Sequence, residues 1–136
     1  KKVSKAKILS IDYLKFEPIK NIEILQGDFT DEECQKKIGN FFKSKLDLIV
    51  SDMAVNTTGN KNLDSIVTGE LCLEAMIFAI KHLNEKGTFV SKIFMGSSFN
   101  EIILKSKKSF KNIKVFKPTS SRKESKETFL ICRYLK

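Results

Sequence analysis

Leu46-Asp47-Leu48-Ile49-Val50-Ser51-Asp52-Met53-Ala54-Val55-Asn56 passes from a short apolar run straight into a polar loop. The run, residues 46–50, reads as a strand, and it delivers Ser51-Asp52 to its carboxyl end. Working outward, residues 88–94 (TFVSKIF) form a later apolar strand with Lys92 near its end. A last strand, residues 128–134, has Glu127 at its start. If these strands lie in one sheet, all three ionisable groups meet at one edge.

The intervening segments fix the sheet type. Residues 7–11 (KILSI) are a strand ending at Asp12, and residues 22–25 (IEIL) are another, ending at Gly27-Asp28. Thr30-Asp31-Glu32-Glu33 is a capping box, with Thr30 as N-cap, before a helix that puts Cys34, Ile38, Phe41 and Phe42 on one face. A helix over about residues 65–84 is expected to bury Leu73, Ile77, Ile80 and Leu83, and Gly87 to stop it. Ser98-Phe99-Asn100-Glu101 reads as a second capping box, opening a helix through about Ser109, and residues 113–116 form a strand halted by Pro118.

Strand-helix alternation implies an α/β fold, a mostly parallel sheet with helices on both faces. Between the last two strands lie about ten polar residues, where a parallel crossover needs a dozen or more. The final strand is therefore expected to run antiparallel.

Bulk properties bound the function. The 136 residues are expected to form one domain. No apolar run approaches a membrane-spanning length and no stretch reads as a signal peptide, so a cytoplasmic protein without a membrane partner is expected. Cys34, Cys72 and Cys132 are widely spaced in apolar contexts and read as reduced core residues. No His/Cys cluster suggests a metal. Twenty-five basic against 16 acidic residues give +9, which suits a polyanion such as nucleic acid. Only Arg122 and Arg133 are arginine, however, so the lysine excess could equally reflect codon bias.

Ligands of open α/β sheets bind beyond the carboxyl ends of the parallel strands. Asp12, Asp28 and Asp52 follow strands, Lys92 ends one, and an antiparallel last strand would begin, at Glu127, on the same edge. Bland alternatives stand beside a catalytic role. Asp28 could be a helix cap, and Lys92 could sit in a structural ion pair with Asp52 and Glu127, since an unpartnered buried lysine is costly. His82, late on a helix, reads as a cap or surface residue.

The segments IDYLKFEPI, LQGDF, SDMAVN, VSKIFMG and KPTSSRKESKETFLI occur in the order and near the spacing of the FtsJ-type ribosomal RNA 2′-O-methyltransferases, which this chain resembles from about Ile8 onward. The resemblance implies a Rossmann-like class I methyltransferase fold using S-adenosylmethionine. Asp52, Lys92 and Glu127 then match three members of a Lys-Asp-Lys-Glu tetrad. Asp12 matches the aspartate that holds the cofactor ribose, and Asp28 the one near the adenine. Asp52 also lies close to the cofactor. Val55 replaces the family's usual proline. The family's first lysine, first strand and glycine-rich loop (GxxPGGW) have no counterpart here. That strand would lie between those ending at Asp12 and Asp52, so the sequence is expected to be an N-terminally incomplete fragment.

The implied reaction is methyl transfer to a ribose 2′-hydroxyl, with Lys92 as base if neutral, or otherwise orienting the hydroxyl. Lys117, Arg122, Lys123 and Lys126 of the basic loop are expected to contact RNA phosphates, although a merely solvated lysine-rich loop is the alternative. The expected partner is ribosomal RNA, perhaps in the large subunit, and the expected state a monomer without metal. A transfer RNA methyltransferase, a noncatalytic RNA-binding remnant and a nicotinamide-dependent dehydrogenase are the competing readings.

Overall fold

A computed structural model describes residues 5–54, 58–119 and 127–136, with position 127 described by its backbone alone. The chain divides into two compact units, Lys1–Ser44 and Lys45–Lys136.

In the first unit, β1 (Leu9–Asp12) and β2 (Glu23–Gln26) pair in parallel, Leu9 opposite Glu23 and Asp12 opposite Gln26. Helix α1 (Glu32–Phe42) buries Cys34 and Ile38, one turn apart, on the face its periodicity marks. Phe41 and Phe42 meet edge to face at 4.9 Å, and the Lys7 ammonium lies 4.4 Å from the Phe41 ring centre. The capping box is a correction. Asp31, not Thr30, is the N-cap, and it makes no side-chain cap bond. Thr30 donates its N–H and hydroxyl to Asp28 Oδ1 at 2.9 and 2.7 Å, so a preceding acidic residue has captured the expected cap.

The second unit runs β3 (Leu46–Ser51), α2 (Lys61–His82), β4 (Leu83–Phe94), α3 (Phe99–Ser109), β5 (Phe110–Phe116) and β6 (Glu127–Leu135). The four strands form one sheet in the order β3-β4-β6-β5. β3 and β4 are parallel, whereas β6 is antiparallel to both β4 and β5. Three strands thus share one direction and the last opposes them, as the short polar connection requires. β1 and β3, the two strands expected to flank a missing neighbour, are each paired on one side alone among the described residues.

The core of this unit lies between the sheet and α2 and α3. Phe89, Ile93, Leu130 and Cys132 face Cys72, Met76, Ala79 and Ile102, all with essentially no exposure. Phe89 and Phe110 stack with ring centres 6.4 Å apart. Emptying such a site by Phe→Ala costs about 3–5 kcal/mol.

Two expectations about α2 fail for physical reasons. Its buried stripe is made mostly of small residues (Ser65, Thr68, Cys72, Ala75, Ala79) with Met76 and Phe78. Of the four residues expected there, Leu83 is buried just past the helix, Leu73 and Ile80 are half-buried and Ile77 is 52% exposed. The helix carries apolar residues all round, so pattern alone could not choose the face that lets it approach the sheet closely. Gly87 does not end the helix, which stops at His82 and leads directly into β4. It lies instead inside β4, beside the irregularity where the pairing with β3 shifts between Leu46 and Leu48. A Cβ there would come within 2.9 Å of Leu83 and 3.0 Å of the Asn84 carbonyl, so the fold needs glycine at the irregularity rather than at a cap.

The three cysteines are free and buried. Burial raises all three thiols above the ordinary cysteine value, Cys132 to about 12 with Cys72 nearby adding to the effect. Native protein should therefore react with less than one equivalent of a thiol reagent at pH 8, and with three after denaturation; fast native labelling would contradict this packing.

His82 stacks on Phe78 with ring centres 4.1 Å apart. Desolvation, then Lys81 and Lys45, lower its pKa. The unfolded chain therefore accepts a proton near pH 6.5 that the folded chain refuses. Stability from this group is complete above that pH and declines as the pH falls below it. Thermal unfolding between pH 7 and 5 should show a smaller acid destabilisation for His82→Phe than for wild type.

Candidate active site

The second unit brings three expected residues to one sheet edge. Ser51 of β3 lies opposite Ser91 of β4, so Asp52 and Lys92 stand one residue beyond a matched pair. Parallel neighbours are about 4.8 Å apart, well within reach of both side chains. Across the antiparallel ladder Lys92 lies opposite Phe129, and Phe94 opposite Glu127. Glu127 is thus two positions from the residue that faces Lys92, a diagonal spacing of roughly 7–8 Å between backbones.

The two sides of this edge differ in environment. Asp52 is exposed just past β3, where a carboxylate stays hydrated, and Lys92 is half-buried within β4. Strand alternation turns Ser91 (1% exposed) and Ile93 (0%) toward the helices and leaves Lys92 on the opposite sheet face. The Thr128 hydroxyl donates to the Ile93 carbonyl at 3.2 Å, pinning β6 to β4 between the positions of Lys92 and Glu127. Thr128 was not singled out from sequence, because nothing in a strand's composition reveals which threonine reaches across the ladder.

Asp12 and Asp28 belong to the first unit. They are neighbours there, since the Gly27 amide donates to the Asp12 carbonyl at 2.9 Å and Asp28 follows directly. Asp12 Oδ1 accepts the Leu14 amide at 2.9 Å, which fixes the carboxylate at the strand end. Thr30, through its hydroxyl and then its amide, holds the Asp28 carboxyl below the ordinary value. Both are acceptor groups at the carboxyl edge of parallel strands, an acceptor set that fits ribose hydroxyls and an adenine amino group.

Lys117 is exposed just beyond β5. Arg122, Lys123 and Lys126 lie outside the described residues, as does the side chain of Glu127. Among the described residues no group of three or more His, Cys, Asp or Glu is placed to hold a metal, and no helix is long and apolar enough to cross a membrane.

A further cluster, at the start of α2, was missed because the helix begins four residues earlier than its apolar pattern indicates. Asn60 Oδ1 caps it by accepting the Asn62 and Leu63 amides, both at 3.2 Å. Asp64 (6% exposed) accepts the Thr58 amide at 3.0 Å and the Thr58 hydroxyl at 2.8 Å. The pattern Thr58-Gly59-Asn60 with an acidic residue in the first turn was the available signal.

With this geometry in place, known proteins give a consistent comparison. A Pelagibacter ubique protein named ribosomal RNA large subunit methyltransferase E is 58% identical over 134 residues, covering 98% of this chain and 66% of that protein. Its namesake in Rickettsia bellii is 46% identical over 127 residues, covering 93% of this chain and 56% of its own length. The chain therefore spans between just over half and just under two thirds of these relatives. A crystal structure named for a ribosomal RNA methyltransferase from Plasmodium falciparum superposes with a TM-score of 0.82 at 29% identity, over 95% of this chain and 72% of that one. A Streptococcus mutans protein solved with SAH shares the fold, with a TM-score of 0.56 at 10% identity over the same fractions. The FtsJ-like methyltransferase model matches residues 1–135, so the chain belongs to that family.

Proposed function

We propose that this chain is a methyltransferase catalytic domain that acts on RNA, moving a methyl group from S-adenosylmethionine to a ribose 2′-hydroxyl. The substrate in this reading is a uridine of 23S-type ribosomal RNA within the large subunit, met in the cytoplasm by a monomer. The observation that carries it is the meeting of Asp52, Lys92 and the backbone of Glu127 at one sheet edge. The relatives' names and the +9 charge support an RNA substrate.

Bound S-adenosylmethionine would supply an electrophilic methyl on a positive sulfonium. Asp12 would hold its ribose, Asp28 would face its adenine, and Asp52 would lie beside it. Lys92 would take the proton of the 2′-hydroxyl as the oxygen attacks, or hold that hydroxyl in line. Asp52 and Glu127 would orient the Lys92 amine, and Lys117 with Arg122, Lys123 and Lys126 would contact phosphates. Much of the rate would come from fixing hydroxyl and methyl in line.

The test is transfer of labelled methyl from S-adenosylmethionine to undermethylated large ribosomal subunits by this chain. The label should resist alkali, because a methylated 2′-oxygen cannot attack its phosphate. Lys92→Ala should lower the rate by on the order of 10²–10⁴-fold, while Asp12→Ala should weaken cofactor binding in calorimetry. Label appearing only in transfer RNA would move the substrate assignment. RNA binding by a folded chain without cofactor binding would make it a noncatalytic RNA-binding remnant.

A further inference from the structure

The first two turns of α2 touch both segments that leave the candidate edge. On one side, Asp64 holds Thr58, six residues beyond Asp52, through the 3.0 and 2.8 Å bonds to its Oδ1. The ring is closed locally, since the Asn60 amide donates to Thr58 Oγ1 at 3.1 Å and the Asp64 amide to the Asn60 carbonyl at 3.0 Å. Gly59, at φ 85°, makes the turn. A buried carboxylate with two donors from one residue makes a stiff tie, because releasing either leaves charge unsatisfied.

On the other side, Gly96 lies four residues beyond Lys92. A Cβ on Gly96 would fall 2.0 Å from Ser65 Oγ and 2.9 Å from Ser65 Cβ. The turn between β4 and α3 is thus pressed onto the helix at Ser65, whose buried hydroxyl, like that of Thr68 one turn on, has no hydrogen-bond partner among the described residues. Leaving such groups unsatisfied costs stability. The close approach itself is what the Gly96–Ser65 contact requires, since any side chain at position 96 would meet Ser65.

We propose that this helix start is a brace that sets the spacing between the segments behind Asp52 and Lys92, with Asp64 and Ser65 as positioning residues. It rests on the methyl-transfer reading for its effect on rate, but its geometry can be tested separately. Neither residue touches the reacting groups in this scheme. Both act through the segments they hold.

In the full chain, Asp64→Ala should lower kcat on the order of 10²-fold, the scale of a small misplacement, with little change in the KM for S-adenosylmethionine. Asp64→Asn should restore most of the rate, because its carbonyl can still accept both Thr58 donors. Gly96→Ala should lower kcat similarly, and Ser65→Gly added to it should rescue by removing the clash. Equal kcat in Asp64→Ala and wild type, or no rescue in the double variant, would overturn the brace. Hydrogen exchange separates this from the functional proposal: the Thr58 amide should be protected in wild type and exchange at least about tenfold faster in Asp64→Ala. If the chain binds S-adenosylmethionine and ribosomal subunits but transfers no methyl, the functional reading falls while a protected Thr58 amide keeps the brace. An unprotected Thr58 amide in wild type would sink the brace whatever the activity.

Discussion

The antiparallel return of β6 between β4 and β5 is the constraint on which the candidate site depends. In a purely parallel sheet the last strand would end at the ligand-binding edge and begin at the far one. Because β6 is reversed, its first residues enter at that edge, and the Phe94–Glu127 pairing places an acidic position beside Lys92's strand end. The side-chain arithmetic then follows from the ladder, without any special loop geometry. The Thr128–Ile93 hydrogen bond reinforces the register at the position where an error would matter most. A one-residue slip there would send the position of Glu127 to the opposite sheet face.

This architecture was legible in the sequence where the physics is local. Residues 46–52 and 88–94 are short apolar runs between polar segments, and they form strands within a few residues of where their composition puts them. The reversal of β6 could be inferred from ten polar residues, because connection length limits topology. Asp52, Lys92 and Glu127 could be picked out for the same reason: each is an ionisable group at a strand terminus. The start of α3 at Ser98 was readable in position, although Ser98 makes no side-chain cap bond, so the expected capping box is not formed there either.

What could not be read depends on tertiary partners. Thr30 was expected to cap α1 and instead donates its amide and hydroxyl to Asp28, a local turn after which the helix begins at Asp31, and sequence alone does not rank that turn against the cap. Gly87 resembled a helix stop, yet the helix ends five residues earlier, and the glycine answers to the Asn84 carbonyl and Leu83, contacts that exist only after folding. The face of α2 was misjudged because bulky apolar residues normally mark the interior. Here close approach to the sheet favours Ser65, Thr68 and Ala79. Asp64 escaped notice for the opposite reason, since an acidic residue in a first turn is ordinarily a solvated partner of the helix dipole.

The open edge of β3 has a consequence for the chain in solution. Leu48 and Val50 are 57% and 62% exposed on a strand paired on one side alone among the described residues, so wherever no further strand covers it this edge offers both backbone groups and apolar surface to another chain. No proline or lysine blunts residues 46–51; Asp47 is the only charge on the strand. With that side uncovered, the guard against pairing would be global rather than local, namely mutual repulsion between molecules that each carry +9. Such a guard weakens as salt shortens the screening distance to about 8 Å at physiological ionic strength. Colloidal behaviour and phosphate attraction thus draw on the same lysines, and a counter-polyanion that neutralises them would remove the protection unless it also covered the edge.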